Sequence, residues 1–142
     1  MPLTTQERRV WLEKVPLFSG CSDAVFDQLA DVTAELAFDD GQAIVQQGQV
    51  GNGLYIVVTG GARIVGGSDE LARLGPGDFL GELSVIDQRP RAASAFATGP
   101  TVCLALASWD LLAMLEQDPT LTLNLLKELV GRLRRTDAQL RH

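Results

Sequence analysis

The sequence is short of the residues that most catalytic chemistry needs. Its one histidine is His142, the final residue, so neither a Ser-His-Asp nor a Cys-His arrangement can form, and a histidine-ligated metal site is excluded. Its two cysteines, Cys21 and Cys103, lack metal-ligand spacing. They are expected to be reduced and inert, one in a loop or at a helix start and the other in a buried strand. There is no Gly-x-x-x-x-Gly-Lys-(Ser/Thr) and no Gly-x-Ser-x-Gly. The carboxylate pairs Asp39-Asp40 and Asp69-Glu70 fall among turn residues and are read as solvated. No catalytic site and no metal site is read. No run reaches the ~18 apolar residues that a membrane span requires, and Met1-Pro2-Leu3-Thr4-Thr5-Gln6-Glu7 is not patterned as a signal peptide, so a cytoplasmic protein away from membranes is expected. Aromatic residues make up 6 % and do not interleave with basic ones, which disfavours nucleic acid.

What the chain does have is apolar material and glycine. At 142 residues and 46 % hydrophobic, it has the size and content of a single domain with one core. Periodicity predicts helices over residues 6–14 and 23–32, with Thr5 and Ser22 as N-caps and a turn at Pro16. From residue 34 to 107 the pattern changes to short β-branched runs between glycine turns: Gly48 with Gly51 and Gly53, Gly60-Gly61, Gly66-Gly67-Ser68-Asp69 and Gly75-Pro76-Gly77-Asp78. Strands at this spacing predict an antiparallel roll of the jelly-roll kind. Ser108 opens a further helix over 109–115. Asp118-Pro119, an acidic cap followed by proline at the first helical position, restarts one to about Gln139.

The net charge of −6 is unevenly spread. Residues 1–126 carry 7 basic and 16 acidic side chains, whereas residues 127–142 carry 5 basic (Lys127, Arg132, Arg134, Arg135, Arg141) and 2 acidic (Glu128, Asp137). Cations near a helix C-terminus complement its dipole, and a nucleic-acid or membrane patch is the alternative. Leu126, Leu129, Leu133, Thr136 and Leu140 are spaced three, four, three and four along the last helix. Such a stripe must be buried, either on the chain's own roll or in a parallel helix pair across a homodimer axis.

The most informative stretch is Phe79-Leu80-Gly81-Glu82-Leu83-Ser84-Val85-Ile86-Asp87-Gln88-Arg89-Pro90-Arg91-Ala92-Ala93-Ser94-Ala95. Gly81 lets backbone approach a ligand, and residues 83–86 read as one helical turn. Amide donors at such a turn favour an anion, and Arg91 can add a two-pronged contact to phosphate oxygens. Glu82, which when ionised only accepts, suits a sugar hydroxyl instead. A strand over 91–97 would direct Arg91 to the same face as Ala93 and Ala95. A charge among alanines wants a partner: a ligand phosphate, or Glu82 itself in the empty state.

This run resembles the phosphate-binding cassette of the cyclic-nucleotide-binding domain family, which includes catabolite-activator-like regulators, kinase regulatory subunits and gated channels. The family pattern Phe-x-Gly-Glu-(Leu/Ile)-(Ala/Ser)-(Leu/Val), then Pro-Arg-(Ala/Thr/Ser)-Ala, is met position by position. Upstream, Phe38-x-x-Gly41, Ile44-x-x-Gln47-Gly48 and Leu54-Tyr55-Ile56-Val57-Val58-x-Gly60 resemble the family's β-roll strands and turns. The resemblance implies a mainly β fold with flanking helices, an antiparallel β-roll of double-stranded β-helix type with N-terminal helices and a C-terminal helix. It implies that Glu82 binds the ribose 2′-hydroxyl and Arg91 the cyclic phosphate. Backbone donors of Gly81, Glu82 and Leu83, with Ser84 and the stretch Ala92, Ala93 and Ser94, complete the pocket, and Thr136 falls where activator-like relatives contact the adenine amino group. Relatives tuned to cGMP often carry Thr after the phosphate-binding arginine. Ala92 stands there, so cAMP is implied, while Ser94 leaves cGMP open.

The expected function is therefore a cyclic-nucleotide sensor, with the base covered by the C-terminal helix and no further cofactor. Activator-like relatives continue into a helix-turn-helix beyond the point where this sequence stops. The expected output is accordingly an unseen domain or a partner protein. A ligand-free interaction module built for dimerisation, and the sensor half of a truncated transcription regulator, are the alternatives.

Overall fold

The computed structural model describes residues 2–51, 53–81, 86 and 89–140, the side chains of 136–140 excepted. Helix α1 spans Thr5–Glu13 and α2 spans Asp23–Val32, with a 3-10 turn at Pro16–Phe18 between them. Ser22 caps α2 as expected, its hydroxyl accepting the Val25 N–H at 3.3 Å. The cap of α1 is Thr4, not Thr5, which is the first helical residue. The reason is Glu7: its N–H donates to Thr4 Oγ1, and its carboxylate accepts the Thr4 N–H, each at 3.1 Å. Glu7 stands three residues after Thr4, the spacing that closes this reciprocal pair, whereas Arg8 stands three residues after Thr5.

Among the described residues eight strands follow: β1 (Ala34–Phe38), β2 (Ala43–Val45), β3 (Gly53–Thr59), β4 (Ala62–Gly66), β5 (Asp69–Leu74), β6 (Phe79–Leu80), β7 (Ser94–Ala97) and β8 (Thr101–Ala107). They form two antiparallel four-stranded sheets, ordered β1-β8-β3-β6 and β2-β7-β4-β5. Asp69 and Glu70, read as turn residues, instead open β5, where Glu70 pairs with Arg73 on the exposed edge. Helix α3 (Ser108–Gln117) and α4 (Pro119–Leu140) complete the chain. Asp118 caps α4 by accepting the Leu121 N–H at 3.0 Å.

The strand period of two distributes the core. Leu54, Ile56 and Val58 of β3 and Leu104 and Leu106 of β8 face the helices, packing with Leu12, Phe18, Leu29, Leu111 and Leu121. Val57 and Cys103 face the other way and join Ile44, Ala62, Leu80, Ala95 and Ala97 between the sheets. Burying each large aliphatic side chain contributes about 1.5–3 kcal/mol, so the helical layer is firmly clamped to the roll. The small side chains of Ala95 and Ala97 on β7 fill little of the space between the sheets. No helix among the described residues is long and apolar enough to cross a membrane.

The stripe expected on the last helix divides between two faces. Leu129 packs against the core, while Leu126 and Leu133 are 53 % and 68 % exposed. They join Leu123 and Val130 in an outward row spaced three, four and three. Leu121 and Leu125 take the inward side, because α4 must seal the core beneath α3. The side chains of Thr136 and Leu140 lie outside the described residues.

Candidate ligand-binding site

A cavity of about 640 Å³ opens between the second sheet, the segment after β6 and the inner face of α4. Its walls are apolar, from Val45, Ile64, Leu74 and Ala95, and Gly81 and Arg91 line it with Ala92, Ala93 and Ser94. Five residues singled out in the sequence are thus brought together. Glu82, Leu83 and Ser84, with the helical turn expected over 83–86, lie outside the described residues apart from Ile86.

Arg91 reaches the cavity by a route other than the expected strand. Strand β7 begins only at Ser94, because residues 92–93 bend. Arg91 pairs instead with the loop after β2: its N–H donates to the Gln49 carbonyl at 2.7 Å, and its carbonyl accepts the Gly48 N–H at 2.9 Å. Ser94 Oγ accepts the Gln47 N–H at 2.8 Å, so the Gln47-Gly48 turn grips both ends of the bend. Pro90, which has no N–H to offer a ladder, precedes it.

The Arg91 side chain is buried. Its Nη2 donates to the Gly53 carbonyl at 3.0 Å, and its guanidinium carbon stands 5.9 Å from the centre of the Tyr55 ring. Desolvation lowers its pKa, a pull that the nearby Tyr55 opposes. A desolvated guanidinium gains strongly from an anion brought to it. Gly81 has φ +100°, and a Cβ there would fall 2.7 Å from the Gly53 oxygen and 2.8 Å from Arg91 Nη1. Glycine is therefore required by backbone conformation and by space together.

Strand β6 is aimed by the turn before it. Asp78 Oδ2 accepts the Gly75 N–H at 2.8 Å, and Gly77 N–H and Asp78 carbonyl are stitched to Val57 at 2.8 and 2.9 Å. Phe79 and Leu80 are thereby presented to the cavity.

Helix α4 contributes Glu128, Arg132 and Arg135 to the lining. Arg132 Nε lies 3.5 Å from Glu128 Oε1, and its guanidinium carbon is 5.8 Å from the Phe79 ring centre. Desolvation lowers the Arg132 pKa, with repulsion from Arg135 adding to it. These residues, like Tyr55 and Gly53, were missed in the sequence. The signal for the first three was their spacing of four and three, which puts them on one helical face. Nothing local said that this face met Phe79.

The cavity therefore brings together a buried cation, a side-chain-free stretch of backbone at Gly81, apolar walls and a mixed charged helical face. That suits an anionic ligand with an apolar part. The family described as cyclic nucleotide-binding domain matches residues 35–118. The chain belongs to the cyclic nucleotide-binding domain family. It is 37 % identical over 130 residues to the cyclic AMP receptor protein of Thermus thermophilus, across 88 % of this chain and 60 % of that protein. A crystal structure of the Thermus thermophilus catabolite activator protein matches with a TM-score of 0.81 at 37 % identity, over 89 % of this chain and 62 % of the other. The regulatory domain of Toxoplasma gondii PKA, crystallised with cAMP, matches with a TM-score of 0.77 at 27 % identity, over 89 % of this chain and 50 % of the other. The expected antiparallel β-roll with flanking helices is thus the fold observed. This cyclic nucleotide-binding domain spans 60 % of the length of the cyclic AMP receptor protein it matches.

Proposed function

We propose that the chain is a cyclic-nucleotide-responsive regulatory module, not a catalyst, and that its ligand is cAMP. The observation that carries the reading is Arg91, a buried guanidinium lining an apolar cavity beside a glycine that must be glycine. In this reading the cyclic phosphate meets Arg91 and backbone donors from Gly81 to Leu83. Glu82 takes the ribose 2′-hydroxyl, Ser84 and Ala92 to Ser94 close round the phosphate, and α4, with Thr136, covers the base. Ala92 favours cAMP over cGMP because it offers no hydroxyl to the guanine amino group. The ligand shifts an equilibrium in the position of α4 by as much as it binds the two states differently. Output passes to a further domain or a partner protein. The outward row of Leu123, Leu126, Val130 and Leu133 supports a homodimer through α4.

Thermal unfolding with cAMP, cGMP and 5′-AMP tests the reading, with Arg91→Ala as control. Ligand at 100 times its dissociation constant adds ~2.7 kcal/mol, a rise of roughly 5 to 10 °C for a chain of this size. A rise with cAMP that the variant lacks is expected. No rise with any cyclic nucleotide at millimolar concentration would leave the roll as an interaction module.

A further inference from the structure

The segment that joins β2 to β3 holds Arg91 by backbone and side chain at once. Within it the Gln49 carbonyl and the Gly48 N–H fix the Arg91 backbone at 2.7 and 2.9 Å. Where it enters β3, the Gly53 carbonyl accepts Arg91 Nη2 at 3.0 Å. Its near end is anchored by Gln47, whose two bonds reach different parts of the roll. The Gln47 N–H donates to Ser94 Oγ at 2.8 Å, where β7 begins, and Gln47 Oε1 accepts the Gly67 N–H at 3.1 Å. Gly67, at φ +62°, lies in the turn between β4 and β5, and β5 supplies Ala72 and Leu74 to the cavity wall. Gln47 is exposed and does not itself line the cavity. Its side chain therefore ties the β4–β5 hairpin to the segment that carries Arg91 without entering the space of a ligand.

We propose that Gln47 is a positioning residue for the phosphate contact: its side-chain oxygen uses the β4–β5 hairpin as a brace that holds the Arg91 guanidinium where the anion arrives. This rests on the nucleotide reading above. A two-pronged guanidinium contact demands fixed geometry. Without the brace, the segment has to be ordered at the moment of binding, and that entropy is subtracted from the affinity. The bond to Gly67 is itself exposed, so the empty fold loses little when it is removed. The loss falls on the bound state and passes through Arg91.

The test is calorimetric titration of the full chain with cAMP, and urea denaturation of the same empty preparations. The proteins are wild type, Gln47→Met, Gln47→Glu, Arg91→Lys, and Gln47→Met combined with Arg91→Lys. Methionine matches the length of glutamine but lacks its amide acceptor, whereas glutamate keeps an oxygen in place. Gln47→Met is expected to weaken cAMP about fivefold while the urea midpoint stays at the wild-type value. Gln47→Glu should bind within about twofold of wild type. Lysine at position 91 has no fork to position, so Gln47→Met should add no further loss on that background. A residue that merely supports the fold would weaken both backgrounds equally. Equal losses in the two backgrounds would overturn the assignment, as would a loss that glutamate does not restore or one matched by a fall in urea midpoint. If Arg91→Lys weakens cAMP while every Gln47 variant binds like wild type, the brace falls and the sensor stands. If the wild type binds no cAMP, both fall.

Discussion

Gly81 and Arg91 are packed so closely that a Cβ on the glycine would stand 2.8 Å from Arg91 Nη1. The same atom would press on the Gly53 carbonyl, which is the acceptor of the Arg91 Nη2 bond. The glycine, the arginine and the carbonyl therefore form one fitted unit.

Gly81→Ala tests that unit. Alanine is strained at φ +100°, and the clash with Gly53 is with backbone, which cannot swing aside. The expected result is a loss of about 1–3 kcal/mol of stability, together with displacement of the guanidinium and weaker nucleotide binding. Urea denaturation and titration calorimetry on the same preparation would check both. Normal stability with normal affinity would mean that the segment relaxes freely.

That unit was half legible in the sequence. A glycine before Glu82 and an arginine between a proline and alanines are chemically conspicuous, so Gly81 and Arg91 could be named from the string. Gly53 and Tyr55 could not, because strand pairing and loop contacts bring them beside Arg91 from 38 and 36 residues away. The strand assigned to Arg91 failed for a related reason. Alternation of small and apolar residues fits both a strand and a bend, and the Gln47-Gly48 turn decided between them. On α4, spacing identified an apolar helix but not its inward face. Only packing beneath α3 turned Leu121, Leu125 and Leu129 inward and left Leu126 and Leu133 outside.

The cap of α1 offers a one-residue test of local chemistry. Thr4→Ala removes the hydroxyl that accepts the Glu7 N–H, while the backbone N–H at position 4 can still donate to the Glu7 carboxylate, and is expected to cost about 1 kcal/mol. Thr5→Ala, inside the first turn and exposed, should stay within about 0.5 kcal/mol. Chemical denaturation of the two variants side by side would separate them. The reverse order would return the cap to Thr5.

The outward row on α4 makes an oligomerisation prediction. Leu123, Leu126, Val130 and Leu133 recur at the spacing of a coiled-coil seam, with Leu133 the most exposed at 68 %. Light scattering at tens of micromolar protein should give twice the chain's mass. Leu126→Asp with Leu133→Asp should return it to the single mass while the monomer stays folded, since neither residue belongs to the core. A wild-type monomer at that concentration would remove the helix pair.

Cys103 predicts how stability changes in alkali. Its thiol lies fully buried between the sheets, and burial pushes its pKa up from 9.0 to about 11. The folded state therefore keeps its proton after the unfolded chain has begun to lose it. Well below pH 9 the two states bind the proton equally and the full stability is present. As pH rises from about 9 to 11, proton release from the unfolded chain favours unfolding, by up to about 2 kcal/mol. Cys103→Ala lowers stability at every pH through the volume it removes, but the fall between pH 9 and 11 should become shallower. The slope, not the level, is the measurement. An unchanged slope would mean that the buried thiol makes no contribution to the alkaline limb.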